Sequence, residues 1–416
     1  MAALSNVLIW IIFLAAVLCI LIRPWRIGEV WWAGGGAVLL VIAHLIPFQQ
    51  AMRAIFKGAD VYLFLAGMMI LSELAREEGV FDWIASVAAE HAAGSPRRLF
   101  LLIYSAGVLV TAFLSNDATA VVLTPAVLTI VRRLKVEPTP HLLACAFIAN
   151  AASFILPISN PANLVVFGKH LPPLAKWLDA FLVPSLASVI VTFLALFLVS
   201  GGQLNGKIGE SMPRTRLSTS GCLALGGLII AALGLITVSA LGWPLGAPTC
   251  GAALLATLAV ACRDKDVPVK VMKGVAWSVV PLVAGLFVIV EALQKTGMQQ
   301  LIVSGLVAAS HLGHLLGNLV AAFSVALIAN CMNNLPVGLM SGAAVQSSQN
   351  PRAVANAVLI GVDLGPNLSI AGSLATILWL IALRREKVKI TGWQFFKVGI
   401  VVMPLALFSS ILFLGK

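Results

Sequence analysis

Leu114-Ser115-Asn116-Asp117-Ala118-Thr119 interrupts one long apolar run, residues 99–132, and Asn330-Cys331-Met332-Asn333-Asn334-Leu335-Pro336 interrupts another, residues 313–346. A backbone turn inside hydrocarbon strands N–H and C=O groups, so it is tolerated only within protein or against a water-filled cavity. Each run is therefore read as a re-entrant hairpin that enters and leaves the bilayer on one side. The freed backbone groups, with Ser115, Asn116, Asn333 and Asn334, would make a neutral-to-polar binding surface. The half-helix after each tip directs its positive N-terminus into the same surface. The plainer reading is that these side chains only cap helices and pack elements together. Two breaks at equivalent positions weigh against it.

Their equivalence comes from an internal repeat. A shift of 218 residues lays Ala66-Gly67 on Ala284-Gly285, Glu73 on Glu291, Gly79 on Gly297 and Asn116 on Asn334. Matches among Leu, Ala and Val mean little in such a sequence. Matched Glu and Asn positions do, because these residues are rare in hydrocarbon. Each half carries a second interruption. Pro157-Ile158-Ser159-Asn160-Pro161-Ala162-Asn163 breaks one apolar segment, and two prolines so close cannot both sit inside a regular helix. Asp363-Leu364-Gly365-Pro366-Asn367 breaks its counterpart and runs on into Ser369-Ile370-Ala371-Gly372-Ser373. Two tips and two unwound helices would enclose one site, adding Asn160, Asn163 and Asn367 to the tip residues.

The rest of the chain is apolar. It is 60% hydrophobic and 10% charged, with mean hydropathy +1.02, where a soluble domain carries about 25% charged residues. Full spans fit residues 5–22, 30–47, 59–76, 141–167, 180–200, 221–241, 246–262, 275–293, 353–383 and 398–415. Amphipathic stretches 80–93 and 298–310 precede the hairpins and suit the membrane interface. The expected fold is an all-α polytopic membrane protein. Residues 1–200 form a first repeat, 201–220 a cytoplasmic linker and 221–416 a second repeat. Five spans per half is an odd number, so the second half must be inverted, an arrangement found in secondary transporters. The apolar segment Asn6–Ile22 lacks a basic flank and a small-x-small cleavage site, and is read as a retained span.

Net charge is +11. This layout puts 20 Lys and Arg on one face and 7 on the other, which makes the first face cytoplasmic and explains the basic excess without nucleic acid. Both termini then lie outside, in the periplasm of a bacterial-type inner (plasma) membrane. The first hairpin opens inward and the second outward. Had either hairpin been two full spans, the loops would still alternate, so charge alone does not fix re-entrance.

Among the 16 acidic residues, Asp117 and Asp363 fall deepest in apolar sequence. A carboxyl held out of water must be partnered or neutral, which suits it to load and release a proton. Asp117 is the leading proton-coupling residue and Asp363 the second; the alternative is a carboxylate bound to backbone N–H groups or a Lys. Glu73 and Glu291 sit near span ends and read as structural. The Cys residues (19, 145, 222, 250, 262 and 331) show no CxxC pair, against a disulfide framework or structural metal. Cys145 and Cys331 lie near breaks and could offer thiols to a metalloid, but a small core residue is the preferred reading. His311 and His314 read as interfacial. No cofactor is implied.

At FLSNDATAVVLTPAV, LPISNPANLVVFG, CMNNLPVGLM and GVDLGPNLSIAGSLATILW the sequence resembles the arsenite efflux permeases of the ArsB type, within the ion transporter superfamily. The likeness runs over essentially the whole chain. The SND tip at Ser115–Asp117 is also similar to the SNT tips of divalent-anion/sodium symporters, with Asp in place of Thr. That replacement argues against an anionic substrate. The resemblance implies export of trivalent arsenic and antimony as uncharged hydroxides, with protons as the counter-substrate. Some members of the family pair with a cytosolic ATPase subunit. A sodium/proton antiporter or a carboxylate transporter on the same fold is the alternative. An intramembrane enzyme is a third class, with Asp117 and Asp363 as a dyad, but HExxH and GxGD signatures are missing. A GxxxxGKS/T loop is missing too, which argues against an ATP-driven pump.

Overall fold

The computed structural model describes residues 2–206, 208, 216–347 and 352–415. Regular structure among them is helical throughout. The first half contains α1 (Ala2–Ile22), α2 (Glu29–Ile42), α3 (Phe48–Lys57), α4 (Ala59–Glu77), α5 (Val80–His91) and α6 (Pro96–Phe113). After a break come α7 (Asn116–Ala118), a π-helical stretch Thr119–Leu123, α8 (Thr124–Arg133), α9 (Pro138–Ala151), α10 (Pro161–Phe167) and α11 (Leu174–Ser200). The second half contains α12 (Thr219–Ala240), α13 (Gly246–Ala261), α14 (Val267–Gly274), α15 (Val279–Gln294) and α16 (Met298–Ser310). It continues with α17 (His314–Met332), α18 (Asn334–Ser347), α19 (Arg352–Leu364), α20 (Leu374–Arg385) and α21 (Gly392–Leu412). Within the linker, residues 207 and 209–215 lie outside the described residues, as do Met1, 348–351 and Lys416.

Local sequence explains the element starts. Ser95 accepts a hydrogen bond from the Arg98 N–H at 3.4 Å and Pro96 opens α6, a serine cap followed by a proline that needs no N–H partner. Gly79 and Gly297 precede α5 and α16 with φ of 72° and 86°, a conformation open to glycine at little cost.

Among the described residues, seven helical segments are long and apolar enough to cross a bilayer, and the α3–α4 pair, bent by 48°, makes an eighth. The chain is thus a multi-pass membrane protein. The ten expected crossings are not ten straight helices. The segments 141–167 and 353–383 are broken in the middle, as their prolines and glycines require. The segments 30–47 and 246–262 hold helices of 14 and 16 residues. At 1.5 Å per residue these reach only about 21 and 24 Å, short of the roughly 30 Å of hydrocarbon.

Packing recurs between the halves. α2 packs on α15 while α13 packs on α4; α6 packs on α9 while α17 packs on α19. α10 lies against α18 while α20 lies against the π-helical stretch, and α11 and α21 pack on one another. Exchanging the halves therefore reproduces the main contacts. Apolar side chains of α1, α11, α12 and α13 remain exposed on the outer surface, for example Leu18, Leu198, Ile230 and Leu255, as expected where lipid is the solvent.

Candidate functional site

The first hairpin breaks where its sequence predicts. α6 ends at Leu114, Ser115 is extended, and its Oγ accepts from the Ala118 N–H at 3.1 Å. The Asn116 Oδ1 accepts from the Asp117 N–H at 2.9 Å. The return arm is not a regular helix. Thr111 and Thr119 hydroxyls meet at 2.8 Å, and the Thr124 hydroxyl donates to the Thr119 carbonyl at 3.0 Å. These bonds hold the widened π-helical turn, a feature common beside functional sites.

Beside this tip is a cavity of about 310 Å³. Ser115 and Asp117 line it, with Ser72 and Glu73 of α4, Pro161 at the start of α10 and Arg385 at the end of α20. The Asp117 carboxylate accepts no hydrogen bond among the described residues. Among the described residues Arg385 is the one cation in the lining, and Glu73 is already paired with Arg76 at 2.5 Å.

The second tip is closed. α17 ends at Asn333, whose φ of 75° and ψ of 151° leave the helical region. Its side-chain oxygen accepts from the Leu335 N–H at 3.3 Å and its amide donates to the Ala371 carbonyl at 3.4 Å. The gap beside it is about 10 Å³, about the least space that holds a single water. Asn334 is buried, and its Oδ1 has no partner among the described residues.

The unwound helices are stitched by amides. Asn163 reaches the carbonyls of Ser153 at 2.9 Å and of Leu156 and Pro157 at 3.3 Å. The Asn160 Oδ1 caps α10 through the Ala162 N–H at 3.0 Å, and its Nδ2 donates to Asp363 Oδ1 at 2.8 Å. Asn367 donates to the Phe147 carbonyl at 3.1 Å and accepts from Asn150 at 3.0 Å. Of the residues predicted for the site, Ser115 and Asp117 face the cavity. Asn160 adjoins the lining residue Pro161, Asn333 lines the separate gap at the second tip, and Asn116, Asn163, Asn334, Asn367 and Asp363 are buried without lining either space. Cys145 is buried in α9 and Cys331 is exposed on α17, and neither lines the cavity.

A family model described as citrate transporter matches residues 9–363. The chain belongs to the citrate transporter family. Among curated relatives of this family member, an arsenical pump membrane protein of Escherichia coli is 26% identical over 419 residues, covering 96% of each chain. An uncharacterized transporter of Mycobacterium bovis is 28% identical over 437 residues, covering 97% of this chain and 96% of its own. The crystal structure of the Alcanivorax borkumensis YdaH transporter aligns over 88% of this chain and 87% of its own, with TM-score 0.57 and 14% identity. That likeness supports the fold. Together with the apolar helices, the family makes the chain a membrane transporter.

Sequence reading of this transporter missed Asn150 and Thr376, which meet at 3.3 Å across the halves. Asn330, quoted only as the start of the second break, donates to the Gly365 carbonyl at 2.8 Å and accepts from Ser369 at 2.7 Å. An amide inside an apolar helix was the available signal for Asn150, since such residues are rare in hydrocarbon.

Proposed function

We propose that the protein exports trivalent arsenic and antimony hydroxides from the cytoplasm in exchange for protons, with Asp117 as the shared site. The observation that carries this reading is the Asp117 carboxylate, facing a cavity of about 310 Å³ with no hydrogen-bond partner among the described residues. A neutral hydroxide offers O–H donors to an ionised carboxylate and to the Ser115 hydroxyl. Protonating the carboxylate turns one of its oxygens into a donor and leaves the other a weaker, neutral acceptor. Substrate and proton then compete for one group, which is what antiport needs. The arsenical pump relatives support this choice of substrate.

The exchange of contacts between the halves supports an inverted repeat. Side-chain contacts support the face assignment. Arg132 binds Glu386 at 3.2 Å and Arg97 donates to Asn205 at 2.7 Å, all on the basic face. Lys57 binds Glu291 at 2.7 Å on the other. On this reading the termini lie outside, the first hairpin opens to the cytoplasm, and the cavity ending at Glu73 and Arg385 is the inward-open state.

The family's description and Arg385 in the lining favour a second reading, carboxylate transport. Uptake into everted vesicles under an imposed pH gradient separates the two. Arsenite accumulation that collapses with the gradient supports the first. Citrate accumulation without arsenite flux replaces it with the second.

A further inference from the structure

Asp363 is fully buried at the end of α19, and it does not line the cavity. Its Oδ1 accepts from Asn160 Nδ2 at 2.8 Å, and its Oδ2 has no partner among the described residues. An amide has one accepting end and one donating end. The acceptor supplied by Asp363 therefore decides which end of Asn160 faces the start of α10. With the amide so oriented, Asn160 Oδ1 receives the Ala162 N–H at 3.0 Å and caps the helix. The next residue, Pro161, is part of the cavity wall that Asp117 shares.

The other half repeats the arrangement. Ser373 precedes α20 with φ −139° and ψ 145°, against −149° and 131° at Asn160, and accepts from the residue two ahead at 3.1 Å. Ten residues before these two caps stand Asp363 and Asn150. Asn150 donates to Asn367 at 3.0 Å and to Thr376 in the first turn of α20 at 3.3 Å. At both positions the end of a helix in one half is fastened to the capped helix of the other half. In the first half the fastener is a neutral amide.

We infer that Asp363 is a positioning residue whose carboxyl oxygen holds Asn160, and through it the start of α10, in the wall of the transport cavity, and that this role needs an acceptor rather than a charge. Asp363→Asn keeps a carbonyl oxygen where Oδ1 stands. Asp363→Ala removes it and leaves the Asn160 amide buried without an acceptor.

The inference rests on the transport reading for its flux measurements, so the panel pairs flux with thermal melting of the purified protein. Wild type, Asp363→Asn, Asp363→Ala, Asn160→Ala and the Asp363→Ala/Asn160→Ala double variant are compared in everted vesicles across a range of pH. Asp363→Asn is expected to melt like wild type and keep most of its flux with an unshifted pH profile. Asp363→Ala and Asn160→Ala are expected to melt earlier, because each leaves a buried polar group unpaired, and to lose most of their flux. The double variant should be no worse than Asn160→Ala alone, because once the Asn160 amide is gone Asp363 has nothing left to hold. An Asp363→Asn protein that melts normally but loses gradient-driven flux would overturn the inference and make Asp363 a proton carrier. Misfolding of Asp363→Asn, or an Asp363→Ala protein unchanged in both readouts, would overturn it too. If wild type moves no arsenite, the transport reading fails, and the melting comparison alone decides the clasp.

Discussion

Asn163 commits its amide to three carbonyls of the Pro157–Asn163 break, whereas Asp117 offers its carboxylate to an open cavity. The two look alike in the sequence, as polar residues beside a helix break. Their partners separate them. Asn163→Ala leaves several buried carbonyls short of a donor, at about 1–3 kcal/mol for the unpaired group. The expected outcome is a lower melting temperature, with lost flux tracking lost folded protein; an unchanged melting temperature with weakened arsenite binding would instead make Asn163 a ligand. Asp117→Asn has the opposite signature. It should fold normally and lose gradient-driven flux altogether, because an amide carries no proton to exchange. Sequence could identify both as polar groups in an apolar setting. It could not show which had found a partner, because that depends on residues distant in the chain.

At the scale of elements, the breaks were legible because their cause is local. Prolines at 157 and 161 and the Gly365-Pro366 pair cannot continue a helix, and the adjacent amides Asn333 and Asn334 interrupt the apolar run at the second tip. The π-helical turn after Asp117 was not legible, since Thr119–Leu123 reads as ordinary helix and only the bonds among Thr111, Thr119 and Thr124 reveal it. Nor was the closeness of α10 to α18. A Cβ on Gly342 would come within 2.6 Å of the Val166 carbonyl oxygen. Gly342→Ala should therefore push the two helices apart, at about 1–3 kcal/mol of overpacking. Thermal melting tests this: a variant as stable as wild type would mean that the contact has slack.

Across the whole molecule, the 218-residue register pairs the two tips in sequence, yet they differ in the structure. The first opens on about 310 Å³ and the second on about 10 Å³. Sequence has no access to that difference, because it belongs to one conformation. The proposed inward-open state makes a prediction about access. Met69 lies partly exposed in the cavity lining. Met69→Cys, in a background with the native cysteines replaced, should react with a membrane-impermeant maleimide applied to the basic, cytoplasmic face. Reaction only from the opposite face would reverse the orientation. Competition between proton and substrate at Asp117 is the central claim, and the release of protons on binding tests it most directly. Arsenite added to purified wild-type protein in weakly buffered detergent solution should release protons wherever Asp117 is partly protonated, and Asp117→Asn should release none. Arsenite binding to wild type without proton release, or equal release from Asp117→Asn, would contradict it.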